Sequence, residues 1–261
     1  MNQIYLYALA HAAQKHGMLV HGLSCMSNHE HDAVTDVRGV APDFTRDFHR
    51  ELALAVKQLR GIAENVWSAD KVSMVELQGE AAQFDAVVYT ILNPVAAGLV
   101  PSAREWPGAI ALPQTRKIEV RRPDIWFGKN RPEVITLELT PPPAWTGTAD
   151  EWFQRLDEEV ADREAAIRRA RAKQGKPFLG RRRVLAQRPS DRPRNRDVLT
   201  PSRNPTLKTA GDGPMMRGLV AALRAWRRAY YEARELWRSD KTTVFPIGTW
   251  WVVQRAGAAI A

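Results

Sequence analysis

The sequence predicts an α+β fold followed by a mainly helical, basic extension, and three observations carry that prediction. Apolar residues recur at helical spacing in several separate stretches, the first of them at Ile4, Tyr7, Ala8 and Ala12. Between the first two such stretches, from Met18 to Val37, the helical period disappears and a hairpin pattern takes its place. Charge is also segregated, with a net of −4 over residues 1–112 and +13 over residues 113–261.

The elements follow in chain order. Asn2 is placed to cap a first helix that Gly17 stops. Met18 to Met26 reads as a strand, Ser27-Asn28 as a tight turn, and His29 to Val37 as the returning strand. A second helix starts near Pro42, carries the stripe Phe44, Phe48, Leu52, Val56 and Leu59, and closes at Gly61. Val72 to Leu77 is a short strand, and a third helix runs from about Glu80 to Leu92, ended or kinked by Pro94. Helix, hairpin, helix, strand, helix within about 112 residues is α+β organisation.

Residues 113–148 form a connecting segment whose best strand is Val134 to Leu139, closing at Pro141-Pro142-Pro143. A fourth helix, about Ala149 to Gln174, has acids early and bases late, which complements the helix dipole. The Pro/Arg-rich stretch 175–214, with 10 basic and 3 acidic side chains, is expected to be extended or mobile. A last helix, about Met215 to Arg238, places Leu219, Leu223, Trp226, Tyr230 and Trp237 on one face, read as core. Trp250 and Trp251 are expected to cover apolar surface as well.

Composition bounds the function. The 261 residues carry 38 Lys plus Arg against 29 Asp plus Glu, a net charge of +9, with 44% hydrophobic residues. That is an ordinary globular balance, so global disorder is excluded. One cysteine, Cys25, excludes a disulfide framework and a Cys-based zinc site, and fits a reducing compartment. No apolar run approaches the roughly 18 residues of a membrane span, and no Lys or Arg precedes Lys15 as a signal peptide would need. A cytoplasmic protein with no membrane role is the expectation, and a basic back half suits a polyanionic partner.

Two features could carry chemistry. His29 and His31 lie two apart on a strand, so both rings point to one face and could take two positions on a divalent metal. In a chain with six histidines a chance pair is the ordinary alternative. On the third helix Phe84, Val87, Val88, Ile91 and Leu92 gather on one side. Tyr89 and Asn93, one turn and about 40° apart, point away from that stripe. A tyrosine displayed with a polar ligand-type residue beside it suits a nucleophile; a partly buried structural tyrosine is the plainer reading. His11, His16, His21 and His49 are read as surface or satisfied residues.

Cys25-Met26-Ser27-Asn28-His29-Glu30-His31, followed by Tyr89-Thr90-Ile91-Leu92-Asn93-Pro94-Val95-Ala96-Ala97-Gly98-Leu99-Val100, resembles the single-tyrosine HUH transposases, in particular their REP-associated (RAYT-like) branch. The resemblance covers about residues 2–110. The segments Phe178-Leu179-Gly180-Arg181-Arg182-Arg183 and Val244-Phe245-Pro246-Ile247-Gly248-Thr249 are similar to the extension of longer members. It implies a transposase-like catalytic domain over 1–112, the connecting segment 113–148, and a helical extension over 149–261. The implied fold is a ferredoxin-like antiparallel sheet with helices on one face and the site on the other. The implied chemistry is metal-assisted cleavage and rejoining of single-stranded or hairpin DNA by a homodimer. His29, His31 and Asn93 would hold Mg2+ or Mn2+, and Tyr89 would attack and form a 5′-phosphotyrosine. Arg181, Arg182, Arg183, Arg188, Arg192, Arg194 and Arg196 would make a phosphate-contacting arm.

The chain departs from that family in two places. Glu30 and Asp32 stand where the family carries apolar residues, on the side of the strand opposite the histidines. Buried there, they call for Arg or Lys partners or leave the strand destabilised. Family members also have a strand before the first helix, whereas Met1 leads almost directly into that helix. Two other readings therefore stand beside an active transposase: a decayed relic that only binds nucleic acid, and a metal-dependent hydrolase built on His29 and His31.

Overall fold

The computed structural model describes residues 1–67, 72–125, 130–188, 191 and 206–261, the side chains of Trp250 and Trp251 excepted. The chain is a mixed α/β protein with seven α-helices and small two-stranded sheets among the described residues. Helix α1 (Asn2–His16) stops where Gly17 turns left-handed at φ 68°, a conformation that only glycine adopts without strain. Met1, and not Asn2, is its N-cap; the Asn2 side-chain amide instead donates to the Pro107 carbonyl at 2.8 Å.

Strands β1 (Met18–Cys25) and β2 (Glu30–Asp36) form the antiparallel hairpin, in a register that sets Gly22 opposite Ala33, Ser24 opposite His31 and Cys25 opposite Glu30. The register shifts between Val20 and Gly22, a bulge at His21. Helix α2 (Ala41–Arg60) starts with Pro42 in its first turn and ends at Gly61, as the sequence predicts. The strand expected over Val72–Leu77 contracts to β3 (Glu76–Leu77). Helix α3 (Glu80–Ala96) does not end before Pro94 but runs through it. A proline in the last turn removes one helical donor and leaves the rest of the helix intact. Its carbonyl still accepts from the Leu99 amide at 3.0 Å.

After a 3-10 turn at Ala103–Glu105 come the antiparallel pair β4 (Lys117–Arg121) and β5 (Val134–Glu138) and the long helix α4 (Ala149–Lys173). Thr148 and Glu151 form a reciprocal capping box at the start of α4. Residues 176–184 do not stay extended: the Leu179 and Gly180 amides donate to the Gly98 and Leu99 carbonyls at 2.9 and 2.8 Å. Phe178 and Val184 pack on the core, and α5 (Arg181–Ala186) forms there. Beyond lie β6 (Leu207–Lys208), which pairs in parallel with β3, and α6 (Gly213–Leu236). Strand β7 (Val244–Phe245), α7 (Trp250–Ala256) and β8 (Ala259–Ile260), parallel to β7, end the chain.

One core runs through α1, β1, α2, α3, the β4–β5 pair and α4, with Tyr5, Tyr7, Phe48, Ile91, Trp152 and Leu156 wholly buried. A smaller cluster of Ala233, Phe245 and Ala258, covered by Tyr230, Trp237 and Val252, holds the C-terminal elements together. Helices lie on both faces of the hairpin and not on one. The α1 residue Tyr5 and the α2 residue His49 reach Asp32 and Glu30 on one face. On the other face α3 lies so close that a Cβ on Gly22 would sit 3.2 Å from Val87 Cγ1. On its free side β1 makes single bridges to Ile110 and Leu139. No helix of the described residues is long and apolar enough to cross a membrane.

Candidate functional site

The α3 face of the hairpin brings four predicted residues together. Register and alternation send His31 to the side of Gly22 and Ser24, under α3. The His29 and His31 rings lie 5.0 Å apart, nearly perpendicular. On α3, Val88, Ile91 and Leu92 anchor the helix in the core, which leaves Tyr89 51% exposed. Its ring sits 5.3 Å from that of His31. One turn on, Asn93 is 8% exposed and its amide nitrogen donates to His31 Nε2 at 2.9 Å.

Each imidazole is oriented by a neighbouring side-chain amide. His29 Nδ1 donates to Asn28 Oδ1 at 2.7 Å, which leaves its Nε2 lone pair free. Burial, and then the neighbouring His29, lowers the pKa of His31, so it stays neutral at pH 7 with an acceptor nitrogen toward Asn93. An end-for-end turn of the Asn93 amide would present its oxygen there instead. Two imidazole nitrogens and one amide oxygen make a donor set that fits a divalent cation with positions left for ligand oxygens. Among the described residues no three His, Cys, Asp or Glu side chains gather into a metal-binding group.

The other face of β2 corrects the expectation that Glu30 and Asp32 need Arg or Lys. Glu30 Oε1 lies 2.5 Å from His49 Nε2 of α2, and His49 stacks on Trp67 at 4.3 Å. Asp32 accepts from the Tyr5 hydroxyl of α1. Burial, and then the Glu30 charge, pushes Asp32 up to about 8, so it is largely a neutral carboxylic acid at pH 7. The same burial pushes the Cys25 thiol up to about 12 and the Tyr5 hydroxyl well above its ordinary range. Asp32 thus trades its charge for a hydrogen bond.

Trp106, which the sequence did not single out, also shapes the site. Its indole N–H donates to the Cys25 carbonyl at 3.0 Å, at the end of β1. Gly108 permits that approach, since a Cβ there would fall 2.5 Å from the same oxygen. Arg181 donates to the Glu105 carbonyl at 3.1 Å, so the start of α5 abuts this corner. Arg182, Arg183 and Arg188 are exposed, and Arg192, Arg194 and Arg196 lie outside the described residues. The remaining histidines have partners: His11 with Glu51 and His16 with Asp47, each at 3.0 Å, and His21 with Thr35 and Thr140. A cleft of about 210 Å³ between β2 and β3, lined by Ala33, Thr35, Glu76 and Leu77, contains none of the four clustered residues.

Comparison with protein-family models, with curated proteins and with solved structures finds no match to this chain.

Proposed function

We propose that the chain is a single-tyrosine HUH transposase of the REP-associated type, with a ferredoxin-like core, that cleaves and rejoins single-stranded DNA. One observation carries this reading: His29, Tyr89 and Asn93, drawn from two regions far apart in sequence, each contact His31. The exposed Tyr89 hydroxyl attacks a backbone phosphorus, the Tyr89 oxygen–phosphorus bond forms, and the bond from phosphorus to the 3′ oxygen breaks. The 3′ oxygen leaves with a proton as a free hydroxyl. The bond energy is kept in the 5′-phosphotyrosine, so a 3′ hydroxyl can reverse the step without ATP. His29, His31 and Asn93 would hold Mg2+ or Mn2+, which when bound polarises the scissile phosphate.

The test is incubation of the full chain with labelled hairpin DNA and Mn2+, read as an SDS-resistant protein–DNA adduct. The adduct is expected in the wild type and absent in Tyr89→Phe. Folded protein that forms no adduct across a range of hairpins overturns the catalytic reading.

A second reading, a relic that only binds nucleic acid, draws on Glu30 and Asp32, whose carboxyls burden the strand that carries His31 and that His29 immediately precedes. It predicts salt-sensitive DNA binding that is indifferent to metal and to His29→Ala.

A further inference from the structure

The positive charge of the back half is not equally available to a partner. On α4 four of the five arginines are held within the fold, Arg169 being the exposed exception. Arg155 pairs with Glu80 at 2.6 Å, Arg163 with Asp85 at 2.6 Å and Glu159 at 2.5 Å, and Arg168 with Glu164 at 3.2 Å. The Arg171 guanidinium lies 4.8 Å from the Phe178 ring centroid.

Helix α6 is different. Arg217, Arg224, Arg227, Arg228 and Arg234 are all exposed, and none makes an ion pair or hydrogen bond with the described residues. At 100° per residue the five fall within about 120° of arc, and at 1.5 Å per residue they span about 26 Å. Glu235, on the same arc, is held by Arg238 at 2.8 Å. Glu232 lies just outside it. The opposite side of α6 is covered toward its C-terminus, where Tyr230, Ala233 and Trp237 pack with Phe245 and Ala258; Trp226, expected in the core, stays 36% exposed while its indole donates to the Ile247 carbonyl at 2.7 Å. A helix meant to lie in a lipid surface would need that apolar side free.

We propose that the arginine face of α6 grips the phosphate backbone of double-stranded DNA, such as the stem of a hairpin. The identity of the polyanion rests on the function proposed above. Five guanidiniums on one straight rod suit repeated phosphates, which they can engage in bidentate fashion. A surface for a single strand would instead present a row of aromatic platforms, and Tyr231 is the one exposed ring on this arc. The arginines meet backbone and not bases, so binding is indifferent to stem sequence.

The experiment uses the full chain in EDTA, where no adduct forms, and a fluorescent DNA hairpin with a stem of about 16 base pairs. Binding is followed by anisotropy across NaCl concentration for the wild type and for R217Q/R224Q/R227Q/R228Q/R234Q. Each phosphate left without its arginine flattens the slope of log K against log salt by about 0.9. The quintuple variant is expected to lose about 4 to 5 from that slope, and to bind at least about tenfold more weakly at 0.1 M NaCl. R224Q/R228Q serves if the quintuple variant misfolds, with a slope change of about 2.

An unchanged slope and affinity in both variants overturns the proposal. So does wild-type binding to phosphatidylserine vesicles that the substitutions abolish while DNA binding persists. Tyr89→Phe is expected to retain the full slope. Failure of the wild type to form an adduct, with the arginine-dependent slope intact, would therefore sink the transposase assignment and leave the arginine face standing as a DNA-binding surface.

Discussion

Asn93 donates to His31 Nε2 at 2.9 Å across 62 residues of sequence, and that bond ties the helix bearing Tyr89 to the strand bearing His31. Removing it leaves His31 without its orienting partner. Asn93→Ala is expected to weaken Mn2+ binding roughly 10-fold or more, as losses around a metal ligand do. Isothermal titration with Mn2+ measures it, and unchanged affinity would show that Asn93 takes no part.

Tyr89 is half exposed and its hydroxyl makes no hydrogen bond with the described residues. Tyr89→Phe is therefore expected to leave stability within about 0.5 kcal/mol, as surface changes generally do. A urea melt checks this beside the adduct assay. A large loss of stability would recast the residue as structural.

Asp32 carries a pH dependence with a definite sign. Its pKa in the folded chain is raised to about 8, so the folded state holds a proton that the unfolded chain releases near pH 4. The contribution is fully present below that pH and is lost as pH rises toward 8. Asp32→Asn removes the titration. Its melting temperature should match the wild type near pH 4 and exceed it by a few degrees, on the order of 3 °C or more, at pH 8. Parallel melting curves for the two proteins across that range would contradict the assignment.

Glu164 is 8% exposed and receives the Ala103 amide at 2.6 Å and the Ser102 hydroxyl at 3.2 Å. It fastens α4 to the 3-10 turn that follows α3. Glu164→Ala strands a buried amide and should cost about 2–3 kcal/mol in denaturant unfolding. Glu164→Gln, which keeps an acceptor, should cost less.

Gly108 has room for no side chain: a Cβ would lie 2.3 Å from Trp106 Nε1. Gly108→Ala is expected to displace the indole from the Cys25 carbonyl and lower the melting temperature, visible also as altered tryptophan fluorescence. Trp106→Phe, which removes the donor and keeps most of the bulk, should reproduce part of the loss.

What could be read from residue order is what local chemistry decides. Gly17, Pro42 and Gly61 mark helix ends because a left-handed cap or a first-turn proline acts within a few residues. The hairpin and the facing of His31 follow from alternation alone. The convergence of His31 with Asn93 was anticipated through a family resemblance and not through periodicity. The partners of Glu30 and Asp32 escaped, because His49 and Tyr5 arrive from helices whose packing angle no local pattern encodes. The pairing of β3 with β6 escaped for the same reason, since two residues at each end carry no periodic signal. Pro94 misled because its cost depends on its place within the turn, which the sequence leaves open.

The described residues give β2 one backbone ladder, the one it shares with β1. Three helices also tether it through side chains, Tyr5 to Asp32, His49 to Glu30 and Asn93 to His31, beside the bonds of Thr35 to His21 and of Asp36 to the Ala41 amide. The aim of His31 is thus governed by guy-ropes from three different helices, each of which ends on an ionisable anchor. Slackening any one of them would swing the strand before it melted the protein, so faults in this site should surface as lost alignment well ahead of lost fold.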